Sequence, residues 1–136
     1  IAVTRYNENN WRGRLIQSPT QNFIVGHWSS RVGGYFNGWV WLQDYPSSSE
    51  FYLWRMYASE GASDENAFWF NAKEMARGGG SLVDPNGFVI GNHVGRYNER
   101  TTADIAEVLI FRRRLSKDEM ANVHTYLAAK WGLVTD

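Results

Sequence analysis

Short runs of alternating apolar and polar residues, separated by Gly, Pro, Asn and Ser, fill most of the chain. This is the period-two pattern of β-strands. Ile1 to Tyr6 reads as a strand with Asn7-Glu8-Asn9-Asn10 as its turn, and Gly13 to Gln17 as a short second strand. Ser18 to Asn22 is turn chemistry, because Pro19 presets φ and the Ser and Asn side chains bond nearby backbone. Phe23 to Trp28 is a third strand. Ser29 to Gly34 reads as a loop, and Tyr35 to Leu42 contains a fourth strand with Trp39 and Trp41 on one face. Phe51 to Ala58 carries large apolar groups on both faces and reads as a central strand. Ala67 to Asn71 is its returning hairpin strand, and Lys73 to Ala76 extends it or begins another. Phe88 to Gly91 and Ala103 to Phe111 complete the strands.

The pattern changes once, near the end. Met120, Val123, Leu127 and Trp131 recur at helical spacing. Ser116 followed three residues later by Glu119 forms a capping box, in which each satisfies a backbone N–H that the first helical turn leaves open. Asp118 and Glu119 suit the positive end of the helix dipole, and Gly132 suits the left-handed position past the last turn. A helix from Lys117 to Trp131 is expected.

The composition supports a β-rich fold. Trp 7, Tyr 7, Phe 7 and Gly 13 against Pro 3 describe aromatic strands joined by Gly turns, as in a sandwich or barrel. At 136 residues the chain makes one domain that can bury a core without staples. Lys+Arg 14 balances Asp+Glu 14, which argues against a nucleic-acid binder or a polybasic membrane binder. Cys 0 excludes a disulfide scaffold, a thiol nucleophile and a Cys-ligated zinc site, and leaves the compartment open. No apolar run approaches a membrane span, and no signal peptide is visible.

The run Asp104 to Phe111, then Leu115-Ser116, then Tyr126-Leu127-Ala128-Ala129-Lys130-Trp131-Gly132-Leu133, resembles the end of a known family. It is similar to the close of the concanavalin A-like, laminin-G-like domains of bacterial, viral and some eukaryotic surface proteins. Upstream, Val89-Ile90-Gly91, Phe70-Asn71, Gly26-His27-Trp28 and Asn37-Gly38-Trp39 match more loosely, with Ala72 and Ala103 standing where many members have Gly. The family's opening strands have no counterpart, so residues 1–136 are expected to be a single domain lacking its N-terminal strands. The resemblance implies an all-β, concanavalin A-like jelly-roll β-sandwich with one short C-terminal α-helix. It also implies a binding or adhesion module rather than a particular activity, because the superfold hosts lectins, adhesion modules, glycan hydrolases and spacers.

Catalysis is not expected. Glycan hydrolases of this class carry Glu-x-Asp-x-x-Glu on one strand, which the chain lacks. Asp104 and Glu107 are three apart on a strand and point to opposite faces unless a bulge intervenes. Glu107, flanked on its face by Ile105 and Leu109, is read as a tie between the last strand and the helix turn, paired with an arginine. His27, His93 and His124 show neither ligand spacing nor a triad. No cofactor is expected. Calcium stays open, since it needs loop oxygens such as Asp44, Asp64, Glu65, Asn66, Asp84 and Asn86 to converge.

The tryptophans carry the functional reading. An aromatic face stacks on the C–H face of a pyranose while polar neighbours bond its hydroxyls. Trp54, Trp131 and Trp41 are read as core. His27, Trp28 and Arg31, with Asn37 and Trp39, interleave both kinds of group within one hairpin. A shallow glycan site is expected there. Trp28 is its stacking platform, Trp39 a second, Arg31 a forked donor, and His27 and Asn37 partners of single hydroxyls.

The expected protein is therefore a non-catalytic, carbohydrate-directed binding or adhesion module, extracellular or on the surface of a cell or virus particle. The alternative is a structural or assembly module of a virion, fibre or surface layer. Expected partners are a glycan or cell-surface ligand and a second or complementing chain. That chain would pair along an open edge beside Ala103 to Phe111. Nucleic acid and membrane insertion are not expected.

Overall fold

The computed structural model describes residues 1–6, 13–28, 31–36, 38–44, 52–57, 66–79, 86–91, 99 and 101–133, with backbone alone for Tyr6 and 52–57. It is mostly antiparallel β-sheet with one C-terminal helix. In chain order the elements are β1 (Ala2–Tyr6), β2 (Ile16–Gln17), β3 (Phe23–Trp28), β4 (Arg31–Phe36), β5 (Trp39–Asp44), β6 (Tyr52–Tyr57), β7 (Ala67–Phe70), β8 (Lys73–Arg77), β9 (Val89–Ile90), β10 (Ala103–Val108) and α1 (Lys117–Trp131). The first sheet runs β10-β1-β6-β7-β8 and the second β5-β4-β3-β2-β9. The Phe51 to Ala58 run is central as expected, since β6 is the middle strand of the first sheet. Its Trp54 side chain lies outside the described residues.

One core joins the sheets. Ala2, Phe68 and Phe70 from the first pack with Ile16, Phe23, Val25, Val32 and Phe36 from the second. Trp41 stacks on Phe68 at 5.1 Å between ring centroids. A polar contact crosses the same interior, where Thr4 Oγ1 of β1 lies 3.3 Å from His27 Nε2 of β3.

Two expectations for the second sheet are corrected. Of Ser29 to Gly34, expected as a loop, Arg31 to Gly34 belong to β4 while Ser29 and Ser30 lie outside the described residues; the strand expected within Tyr35 to Leu42 is β5 (Trp39–Asp44), with Tyr35 and Phe36 ending β4. The glycine pair reads locally as a break but serves close strand approach. A Cβ on Gly33 would collide with the Trp41 carbonyl and the Leu42 Cα on β5. Trp39 and Trp41 also do not share a face. The β4–β5 register shifts between Gly34 and Tyr35, so Tyr35 opposes Trp39 while Gly34 opposes Trp41. This bulge sends Trp41 into the core and leaves Trp39 on the opposite face.

The Lys73 to Ala76 run begins a new strand. Asn71 and Ala72, at φ 43° and 68°, form the two-residue turn of the β7–β8 hairpin, the pattern of a type I′ turn. An alanine at positive φ is strained. Ala72→Gly is therefore expected to stabilise the chain by about 1 kcal/mol, read as a rise in the urea midpoint at unchanged slope; no change would mean that the turn relaxes around the methyl.

The helix follows its sequence reading residue by residue. Ser116 Oγ accepts from the Glu119 N–H, the Glu119 carboxylate accepts from the Ser116 N–H, and Gly132 closes the helix at φ 64°. Arg113 adds a two-pronged pair to Glu119 at 2.6 and 2.7 Å. That pair, with the Ser116 N–H, pulls the Glu119 pKa down to about 2. Leu127, Val123 and Trp131 pack on Val3 of β1 and Ala106 of β10, so the helix covers the first sheet on the side away from the main core.

Candidate functional site

The outer face of the second sheet is ordered by strand register. Outward from β9, one row holds Val89, Gln17, Ile24, Tyr35 and Trp39. The next holds Gly26, Gly33 and Leu42, and the third Trp28, Arg31 and Asp44. Tyr35 and Arg31 lie four residues apart on β4, roughly 13 Å along the strand. Gln17 and Ile24 are buried in this row, and among the described residues the Gln17 carboxamide makes no hydrogen bond. Exposure rises toward β5, where Trp39 is 39% exposed.

Trp39 meets Tyr35 edge-on at 5.0 Å, leaving an aromatic corner at the surface. At the other end Arg31 Nε donates to Asp44 Oδ1 at 2.6 Å, with both side chains exposed. Such exposed pairs are worth about 1 kcal/mol or less, so a ligand hydroxyl or carboxylate can compete for either partner. Leu42 lies between the two ends over Gly33. The strip is thus aromatic, aliphatic, then charged.

The predicted residues divide on this face. Trp39 and Arg31 share it and are exposed. Trp28 shares it but is half-buried, with the Arg14 guanidinium over its ring at 5.3 Å. Arg14 is held there by Glu99, through Nε at 2.5 Å, and by the Asn22 side-chain oxygen at 3.0 Å. One Trp28 ring face is therefore already covered. His27 must be moved from the predicted set. It is 1% exposed, and as the neighbour of Trp28 on a strand it points the other way, into the interior. Burial pushes its pKa down to about 3, so it stays neutral. Asn37 lies outside the described residues.

Tyr35 and Asp44 were missed by the sequence reading. The β4–β5 hairpin brings both beside predicted residues, but Ser29 to Gly34 reads locally as a loop, which hides the strand that pairs with Asp44. Arg14 and Glu99 carry no local signal at all, since they are 85 residues apart.

The two carboxylates of the last strand do share a face. A register shift between Val3 and Thr4 leaves Ala106 as an extra residue, so Asp104 opposes Arg5 and Glu107 opposes Val3. Asp104 pairs with Arg5 at 2.6 Å. Glu107 ties the strand to the helix as expected, but its partners are not arginines. It accepts from Trp131 Nε1 at 2.7 Å, Lys130 Nζ at 2.9 Å and the Tyr126 hydroxyl at 3.4 Å. These donors, Trp131 foremost, hold its carboxyl below the usual range. Both acids are engaged in holding the strand rather than facing a cleft.

Of the calcium candidates, Asp64, Glu65 and Asp84 lie outside the described residues. Among those described, no group of three or more His, Asp or Glu is placed to hold a metal ion. Among the described residues no helix is long and apolar enough to cross a membrane. Comparison with family models, with curated proteins and with solved structures finds no match for the chain.

Proposed function

We propose that the chain is a concanavalin A-like, laminin-G-like jelly-roll domain acting as a non-catalytic carbohydrate-binding module of an extracellular or particle-surface protein. Two antiparallel sheets on one core support the fold reading. So does the meeting of the residues behind the resemblance, since Glu107 of the Asp-Ile-Ala-Glu-Val strand accepts from Tyr126, Lys130 and Trp131 of the helix motif. The observation that carries the function is the corner of exposed Trp39 and half-buried Tyr35 on the same face as the exposed Arg31–Asp44 pair. The aromatic corner stacks on the apolar face of one sugar ring. The ion pair, roughly two or three ring lengths away, bonds hydroxyls of another.

A glycan array followed by calorimetry on the best ligand tests this. Trp39→Ala is expected to weaken binding by at least tenfold, in line with about 2 kcal/mol for a hot-spot aromatic, with the thermal midpoint nearly unchanged. Binding that ignores Trp39→Ala and Tyr35→Ala, or an array without a single hit, overturns the reading. The alternative, an assembly module making protein–protein contacts, is favoured by one feature: Ile105, Ile110 and Phe111 are exposed around the last strand.

A further inference from the structure

Among the described residues, β10 has a strand partner on one side only. β10 is the outermost strand of the first sheet among the described residues, with β1 on its inner side. None of its six residues is buried, whereas all four of β7 are. Ile1 and Leu109 extend the β1–β10 ladder by exchanging both backbone bonds, at 2.8 and 2.9 Å. In an antiparallel ladder successive residues alternate sides. The N–H and C=O of Leu109 thus face β1, and those of Val108 and Ile110 face outward.

The usual protections of an edge are sparse here. Residues 103–111 contain neither Pro nor Lys. The two charges on β10 are held within the chain, Asp104 by Arg5 and Glu107 by Lys130. The one protective device, the Ala106 bulge, precedes the outward-facing Val108 and Ile110 and leaves that stretch regular. Beyond it the side chains are apolar: Ile110 is 54% exposed and Phe111 is exposed too.

We propose that two copies of this chain pair antiparallel along this edge, about a two-fold axis through Leu109. Val108 of one copy then lies opposite Ile110 of the other, and the two positions exchange four backbone hydrogen bonds. A second copy fits better than an unrelated strand for three reasons. Antiparallel pairing of identical edges is self-complementary. Ile110 meets Val108, so apolar faces apolar at both symmetry-related positions. The chain carries a formal net charge of zero, so no long-range repulsion keeps copies apart. The dimer extends the first sheet across both copies and, with one Trp39 surface per copy, gives a bivalent particle.

Sedimentation equilibrium of the chain over a concentration series tests the pairing, with Ile110→Lys and Ile110→Pro as variants. Lysine places like charges close to the axis. Proline removes an outward N–H that the β1 ladder does not use. The wild type is expected to dimerise, and Ile110→Lys to raise the dissociation constant at least tenfold with an unchanged circular dichroism spectrum and a thermal midpoint that matches the wild type's at concentrations where both are monomeric. Ile110→Pro, where it folds, should do the same. A wild type that stays monomeric at 100-micromolar concentration (about the level at which weak pairs form), or a dimer that survives Ile110→Lys, overturns the proposal.

Discussion

Glu99→Ala is expected to destabilise the chain by about 3 kcal/mol or more. The Arg14–Glu99 pair is almost wholly buried, at 4% and 7% side-chain exposure. Removing the carboxylate leaves a guanidinium in the interior short of its anionic partner, with the Asn22 oxygen among its acceptors and the Trp28 ring beneath it. An uncompensated buried charge costs far more than an intact pair contributes. The double variant Arg14→Met with Glu99→Leu is therefore expected to be more stable than Glu99→Ala alone, although it removes more polar contacts. Urea unfolding of the three proteins checks this. Equal losses in the single and double variants would show that the site tolerates the guanidinium without its carboxylate. The same experiment bears on the proposed glycan face, because Arg14 covers one side of Trp28.

Acid is expected to weaken the fold through His27. Its folded pKa is depressed from 6.5 to about 3, because burial disfavours the charged ring. The unfolded chain therefore binds this proton more readily than the native one. The contribution is present in full above the unfolded value and is lost as pH falls from about 6.5 toward 3, at up to about 1.4 kcal/mol per pH unit. The carboxylates act in a separate window. Glu107 and Glu119 also have depressed values, but they start from 4.5, so their loss begins lower. Unfolding free energies between pH 7 and pH 5 should fall in the wild type and stay flatter in His27→Gln. Parallel slopes for the two proteins would contradict the account.

How much could be read in advance follows from where each signal resides. The helix was legible to the residue because its determinants are local: a capping box, a stripe of period 3.6 and a glycine at the end. The strands at Phe23, Phe51 and Ala103 were legible for the same reason. Partner-dependent features were not. Gly33 reads as part of a loop, and its use emerges only against Trp41 and Leu42. The faces of Trp39 and Trp41, and of Asp104 and Glu107, are each decided by a bulge, which is a property of two strands in register. Of the five predicted site residues, Arg31 and Trp39 lie exposed on one face and Trp28 lies there half-buried, whereas His27 points inward for a reason present in the sequence itself. Strand periodicity places His27 and Trp28 on opposite faces, so the two could never line one ligand. Counting along the strand would have removed His27, whereas nothing local could have announced Arg14 above Trp28.

In the proposed function a sugar lies along the outer face of β4 and β5. A titration of the isotopically labelled chain with the best array ligand, followed by amide and indole N–H shifts, tests it most directly. The account predicts saturable shifts at the Trp39 indole N–H and at the amides of Tyr35, Arg31 and Asp44, with β10 and α1 unmoved. Shifts confined to β10, α1 or the His27 neighbourhood, with Trp39 silent at saturation, would contradict it.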